Sequence, residues 1–370
     1  MAVKEITDRI PASEATFDMI TLGDGLSPRQ EKIGNVLVHR VTNSAGLFAK
    51  FAFPFIAYLK GRSMIDKMRF ECVWPIMASY AGFAAFLLKI HKPTLPVLLT
   101  IQEGDHFERR QGIFAPLFRK IFRSADRIQS ISSFLAGWSR DMGAVCPIDV
   151  IPNAVDHKLF SIPVSEEKRN LVVARLMKKS EDTFIVTTSR LVMKNGVADA
   201  ISALSFLPKE VKLIVLGTGP LEDELKRQCL RLGLNYTDEP PVNPGNRVHF
   251  VGYTPHAEMV AYLAASDIFV RPSLTEGLGN SFLEAMAAGL PVIGTPVGGI
   301  PDFLTDGETG LMCEPGNPRS IAQKIEKLMK DKESRDYLVK KAKSLVVERY
   351  DWDKIAKDMW TCLNMTMSNK

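Results

Sequence analysis

The sequence predicts an α/β protein of two doubly wound domains, each a parallel sheet covered by helices. Three observations lead there. Short β-branched runs bounded by turn residues alternate with longer helical patterns, the alternation that strand–helix–strand units with parallel neighbours produce. The 370 residues amount to roughly two domains, since one takes about 100 to 200. Composition is 46% hydrophobic and 24% charged, with 25 Gly and 22 Pro, which excludes disordered, collagen-like and coiled-coil classes and leaves apolar material for two cores.

Taken in order, the chain opens with an amphipathic helix over Ala2–Arg9, not with the charged and then apolar regions of a secretory signal. Strands follow at Asp18–Leu22, Val36–Val41, Val97–Ile101 and Arg127–Ile131, with helical segments between most of them. The run Asp149-Val-Ile-Pro-Asn-Ala-Val-Asp156 ends in a Pro/Asn turn, and the polar stretch Ser165–Asp182 comes next. A domain boundary is expected there, giving a first domain over 1–155 and a second over 156–350. The second carries strands at Phe184–Ser189, Lys212–Leu216, Val248–Val251, Ile268–Arg271 and Val292–Thr295. A terminal helix over 351–370 sets Trp352, Ile355, Met359 and Trp360 on roughly one face, a docking face.

Net charge is +5, too mild for a dedicated nucleic-acid binder but enough to favour anionic partners. All of it lies in residues 1–150, where 19 bases face 14 acids; the rest balances at 28 against 28. Between Gly46 and Arg127, 13 bases face 6 acids and are interleaved with Phe48, Phe51, Phe53, Phe55, Phe114, Phe118 and Phe122. Phe at helical spacing is more often core than interface, so an anionic membrane surface stands as one of two readings. The five cysteines are scattered and never spaced Cys-x-x-Cys, which suggests neither a disulfide framework nor a zinc site. The longest apolar runs, Ile76–Leu88 and Phe51–Leu59, fall short of the about 20 residues of a membrane span.

Chemistry concentrates in Arg271-Pro-Ser-Leu-Thr-Glu-Gly-Leu-Gly-Asn-Ser-Phe-Leu-Glu284. A buried strand runs into a loop holding Gly277 and Gly279, and a helix begins near Asn280 or Ser281. Glycines let a backbone approach a ligand, and unpaired N–H groups at a helix start bind phosphate. Glu276 falls at the rim and Glu284 about one turn inside, so both carboxylates can meet a hydroxyl-rich ligand such as a sugar or ribose. The competing reading is structural: Ser281-Phe-Leu-Glu284 is also a literal capping box, in which Glu284 merely satisfies a backbone N–H.

Arg190 and Lys194 follow the strand Phe184–Ser189, at the end where ligands of open α/β sheets bind. Leu216-Gly-Thr-Gly-Pro-Leu-Glu222 lacks the third glycine of a dinucleotide fingerprint and reads as a tight turn, which disfavours a nicotinamide-dependent oxidoreductase. Asp351-Trp-Asp353 follows no strand; acids at a helix start simply favour its dipole, so no metal site is expected there. Gln102, Glu103, Asp105 and His106 close a strand of the first domain and face a substrate or, equally, solvent.

Together these segments resemble the retaining GT-B glycosyltransferases of family 4, the glycosyl transferases group 1. The resemblance rests on Ser189-Arg-Leu with Lys194-Asn-Gly, Gly217-Thr-Gly-Pro220, Val248-His-Phe-Val-Gly-Tyr253, and above all Glu276-Gly-Leu-Gly-Asn-Ser-Phe-Leu-Glu284 with its Glu-x7-Glu spacing. Ile151–Asp156 matches the family's interdomain segment and Tyr350–Trp352 the start of a helix returning towards the first domain.

The resemblance implies two Rossmann-like domains facing across a cleft, the nucleotide-sugar donor in the second and the acceptor in the first. It assigns Glu276, Arg190 and Lys194 to catalysis: the two bases to the donor diphosphate, Glu276 to the hexose. It assigns Glu284 to the ribose, Gly277, Leu278, Gly279 and Asn280 to hexose and phosphates, Gly217 to the phosphate turn, and Gly252 and Tyr253 to the base. Gln102, Glu103, Asp105 and His106 become acceptor-side residues, Gln102 standing near where many members carry His. No metal or other cofactor is implied. The expected partners are a UDP-, GDP- or ADP-sugar and a glycan or lipid-linked acceptor for cell-envelope polysaccharide, with no nucleic acid. The expected location is cytoplasmic, with a peripheral place at the inner membrane face if the basic domain meets lipid. The family's first strand and Gly-Gly-x-Glu loop have no counterpart here, which predicts a chain truncated at its start. The alternative is an inactive nucleotide-sugar-binding or scaffold protein of the same fold.

Overall fold

All nine expected strands coincide with strands of the computed structural model, which describes residues 2–104, 115–161, 164–238 and 245–368. The chain divides into two compact units, Met1–Asn153 with Trp352–Lys370, and Ala154–Asp351.

The first unit holds β1 (Phe17–Thr21), β2 (Gln30–Ile33), β3 (Val36–Arg40), β4 (Leu98–Ile101), β5 (Arg127–Ser130) and β6 (Ile148–Val150), with helices α1 (Ala2–Thr7), α2 (Leu47–Ile65), α3 (Tyr80–His91), α4 (Ala115–Ser124) and α5 (Ser133–Asp141). Its strands fall into two three-stranded sheets. In one, β1 and β3 are parallel and β2 pairs antiparallel on the far side of β3. In the other, β4, β5 and β6 run parallel, and Val73 and Ile76 add parallel bridges to the free side of β4. The sequence shows no strand at β2 because Gln-Glu-Lys-Ile carries almost no apolar face; it is a polar edge, tied by Glu31 to Arg40 at 2.7 Å.

The second unit holds β7 (Thr183–Thr188), β8 (Val211–Leu216), β9 (Tyr236–Thr237), β10 (Val248–Gly252), β11 (Ile268–Arg271), β12 (Val292–Gly294) and β13 (Leu311–Met312). Besides one short turn of helix at His157–Ser161, the helices are α6 (Glu166–Arg175), α7 (Val197–Ala203), α8 (Glu222–Arg231), α9 (His256–Ala265), α10 (Asn280–Ala288), α11 (Pro318–Lys330) and α12 (Lys332–Arg349). One seven-stranded parallel sheet runs β13-β12-β11-β7-β8-β10-β9. β7 and β8 are buried on both faces, which is why they read as unbroken apolar runs and not as alternating ones. From β7 the chain winds outwards through β8 to β10 and then returns to lay β11 on the other side of β7. The strand order therefore reverses between β7 and β11, and the crevice beyond the carboxyl ends of such strands is where open α/β sheets bind ligands.

The last helix, α13 (Trp352–Ser368), counts with the first unit. It buries Trp352, Ile355, Met359 and Leu363, and Asp353 bonds Arg9 at 2.7 Å. Asp351 pairs instead with His157 at 3.2 Å, so the two carboxylates of this triplet have separate partners. No helix among the described residues is long and apolar enough to cross a membrane. All five cysteines are free thiols.

Candidate active site

The carboxyl ends of β7, β8 and β10 open onto a cleft of about 560 Å³. Arg190 reaches it from β7, Gly217 from β8 and Tyr253 from β10, while Ser281 and Glu284 come from the first turns of α10 and His256 from the start of α9. Thr188 Oγ1 and Ser189 Oγ, at the carboxyl end of β7, are buried without a hydrogen-bond partner among the described residues.

The two readings of Ser281-Phe-Leu-Glu284 are now separable. The residue before α10 is Gly279, held at φ +102°, and no side chain caps the helix. Gly279 is required by that left-handed entry. Ser281 lies inside the helix and its hydroxyl accepts from Arg271 Nη1 at 2.6 Å. Glu284 Oε1 lies 3.3 Å from His256 Nε2. Neither half of a capping box is made, and Glu284 faces the cleft. The first N–H groups of α10 are left without a side-chain cap, the condition under which a helix start favours an anion.

Arg271, the charged residue that closes an otherwise apolar strand, is the hub beneath the cleft. Besides Ser281 it donates through Nη2 to Asn195 Oδ1 at 2.8 Å and to Glu276 Oε2 at 2.5 Å. Asn195 donates in turn to the Arg190 carbonyl at 2.6 Å. The loops bearing Arg190, Lys194 and Glu276 are thus tied through one guanidinium. Glu276 is only 8% exposed, and its Oε1 accepts from Gly277 N at 3.1 Å. Its backbone is fixed from the other side, because Gly298, at φ +55°, lies so close that any Cβ would overlap the Glu276 carbonyl oxygen.

Of the expected donor residues, Arg190, Gly217, Tyr253 and Glu284 line the cleft directly. Gly252 adjoins it and accepts the Gly217 N–H at 2.8 Å. Lys194, Glu276, Gly277, Leu278, Gly279 and Asn280 are not on the lining; they connect to it through the Arg271 network and the entry to α10. Leu278 is fully buried, so only its backbone is available to a ligand. In the first unit, Glu103 is wholly buried, and its carboxylate accepts from Ala78 N at 2.7 Å and Gln102 N at 3.0 Å. Its carboxylate anchors the end of β4 through these two backbone donors. Gln102 is partly exposed, whereas Asp105 and His106 lie outside the described residues. Asn195, His256 and Arg271 were not legible as site residues. Only Arg271 left a sequence signal, a cation ending an apolar run.

Glu284 holds His256 above the usual imidazole range by hydrogen bonding. At the opposite end of the sheet, burial pushes His249 on β10 down to about 4.

With this geometry in view, two family models account for most of the chain. Residues 169–345 match glycosyl transferases group 1, and residues 2–159 match glycosyltransferase family 4. The first of these matches falls on the second unit and the second on the first unit. The chain's relatives include the uncharacterized glycosyltransferase MJ1607 of Methanocaldococcus jannaschii, 30% identical over 213 residues, which are 57% of this chain and 52% of that protein. The match thus spans about half the length of that relative. A GDP-mannose-dependent alpha-(1-6)-phosphatidylinositol monomannoside mannosyltransferase of Mycobacterium tuberculosis is 25% identical over 310 residues, covering 80% of this chain and 76% of that one. Among solved structures, Anabaena Alr3699/HepE in complex with UDP-glucose superposes with a TM-score of 0.75 at 20% identity, over 89% of this chain and 86% of that one. The fold is accordingly of the GT-B type, two Rossmann-like parallel-sheet domains.

Proposed function

We propose that this chain transfers a sugar from a nucleotide-sugar donor to a glycan or lipid-linked acceptor with retention of configuration. The observation that carries the reading is Glu284: freed from any capping role, it shares a cleft with Arg190, Tyr253 and the uncapped start of α10. That set matches the parts of a nucleotide sugar. Glu284 accepts from the ribose hydroxyls, Tyr253 lies against the base, and the α10 N–H groups with Arg190 and Lys194 meet the diphosphate. Two relatives support the donor class, one named GDP-mannose-dependent and one solved with UDP-glucose.

In the reaction the acceptor hydroxyl attacks the anomeric carbon from the leaving-group face. The bond from that carbon to the diphosphate oxygen breaks, its electron pair stays with the phosphate, and a phosphate oxygen takes the hydroxyl proton. Fixed cations aimed at the leaving phosphate stabilise charge where it develops. Arg190, Lys194 and the helix start fill that role, so the reading calls for no metal. Glu276, orienting the hexose, keeps the anomeric carbon in line.

Thermal-shift screening with UDP-, GDP- and ADP-sugars tests the donor, because a ligand bound only by the native state raises stability by about 2.7 kcal/mol at a hundredfold excess over Kd. One donor class should raise Tm, Glu284→Gln should remove most of that shift, and nucleotide release should require an acceptor. No shift with any donor, or an unchanged shift in Glu284→Gln, overturns the site.

A further inference from the structure

We infer that His256 is a positioning residue for the donor: its imidazolium fixes the Glu284 carboxylate and adds positive charge to the cleft, so that a nucleotide diphosphate binds more tightly when His256 is protonated. The inference rests on the donor reading above. His256 opens α9 on the lining that Arg190, Tyr253 and Glu284 share. Two contacts from different elements fix its ring. Nε2 lies 3.3 Å from Glu284 Oε1, and the ring stands edge-on to that of Phe160, on the short turn His157–Ser161, at a centroid distance of 6.1 Å. Phe160 is itself buried, a firm support. Glu284 Oε2 has no partner among the described residues, which leaves it for the ribose.

Charge gives the pair its purpose. A carboxylate beside a diphosphate repels it, and the site holds two carboxylates. Arg271 offsets Glu276 by a contact of 2.5 Å. His256 does the same for Glu284, but an imidazole does so only while it carries its proton. Of the other titratable groups on elements packed against α9, His157 is paired with Asp351 at 3.2 Å. Arg169 donates to the Ala264 carbonyl and Arg175 acts on Tyr262, both away from the cleft end of α9. With these, Lys158, Glu258 and Arg190 in view, Glu284 alone shifts the proton on His256, and it favours the charged form. That charge is present below the raised value and lost as pH climbs through it, so donor affinity should fall with rising pH. By reciprocity, a bound diphosphate draws a proton onto His256. Both phosphates of a nucleotide sugar are esterified and do not titrate in this range, and His249, held down to about 4, stays neutral throughout.

Isothermal titration calorimetry with UDP-glucose, GDP-mannose and ADP-glucose, from about pH 6 to pH 8.5, tests this on the wild type, His256→Gln and His256→Lys. For a donor that binds, wild-type affinity should fall by about threefold to tenfold across the range, with proton uptake read from buffers of different ionisation enthalpy. His256→Gln keeps a hydrogen bond to Glu284 without the charge and should bind weakly at every pH. His256→Lys carries a permanent charge and should hold the acid-side affinity at both ends. A pH-independent wild-type affinity, a wild-type slope in His256→Gln, or a Lys variant as weak as the Gln variant overturns the role of His256 and leaves the donor site standing. If no nucleotide sugar binds at any pH, or Glu284→Gln binds as the wild type does, the donor reading falls and this role with it.

Discussion

Glu276 and Arg271 hold each other where water scarcely reaches, each side chain 11% exposed. Glu276→Gln keeps the shape and one acceptor oxygen, and Arg271 retains Asn195 and Ser281. Turnover should fall by about a hundredfold or more with a loss of roughly 1 to 3 kcal/mol in stability. Arg271→Met leaves a buried carboxylate without its cation and should cost more, roughly 3 to 5 kcal/mol. Urea unfolding beside turnover decides, and an Arg271→Met variant as stable as Glu276→Gln removes Arg271 from the hub. His256 offers a pH readout. Its proton is favoured in the fold by Glu284, so the pair's contribution is full below about pH 6.5 and is lost as pH rises through the raised value. The Tm gap between wild type and His256→Ala should therefore close with rising pH. The effect stays small because the imidazole is nearly half exposed, and a gap constant across that range contradicts the pairing.

At the scale of elements, β10 carries a device that its sequence conceals. His249 is 1% exposed, both ring nitrogens lack a partner among the described residues, and its ring lies 6.2 Å from that of Phe184. Nearby, the buried Lys212 and Asp182 pair at 2.7 Å. Because the fold holds His249 down to about 4, the unfolded chain takes up a proton first as pH falls below about 6.5. Stability is lost progressively between those values, by about 3 kcal/mol in all. His249→Phe should blunt that loss, seen as a smaller drop in urea midpoint between neutral and acid pH than in the wild type; equal drops refute it. The same strand shows why elements were readable. Interior strands of a parallel sheet are continuous apolar runs, so β7, β8, β10 and β11 announce themselves. β2 is a polar edge and β9 and β13 are two residues each, too little pattern for any periodicity to register. α2 gave a mixed signal for a physical reason: a run of phenylalanines carries no mark of which side faces the core.

Across the whole molecule, the donor shift expected on binding belongs to the second unit, whose residues alone build the cleft. The charge excess sits in the first half. By itself the sequence determined the alternation of strands and helices, the two-domain division of family-like segments, and the place of the glycine loop and its two glutamates. Those features depend on neighbours a few residues away. Tertiary structure decided which of two meanings each polar or aromatic residue has. It gave Ser281 to Arg271 instead of to a helix cap, turned Glu284 to the cleft, sealed Glu103 against backbone donors, and divided the α2 phenylalanines, burying Phe53 and leaving Phe48, Phe51 and Phe55 exposed. Burial and pairing of this kind are set by residues tens of positions distant in the chain, brought close only when the sheets assemble, and no local spacing encodes them.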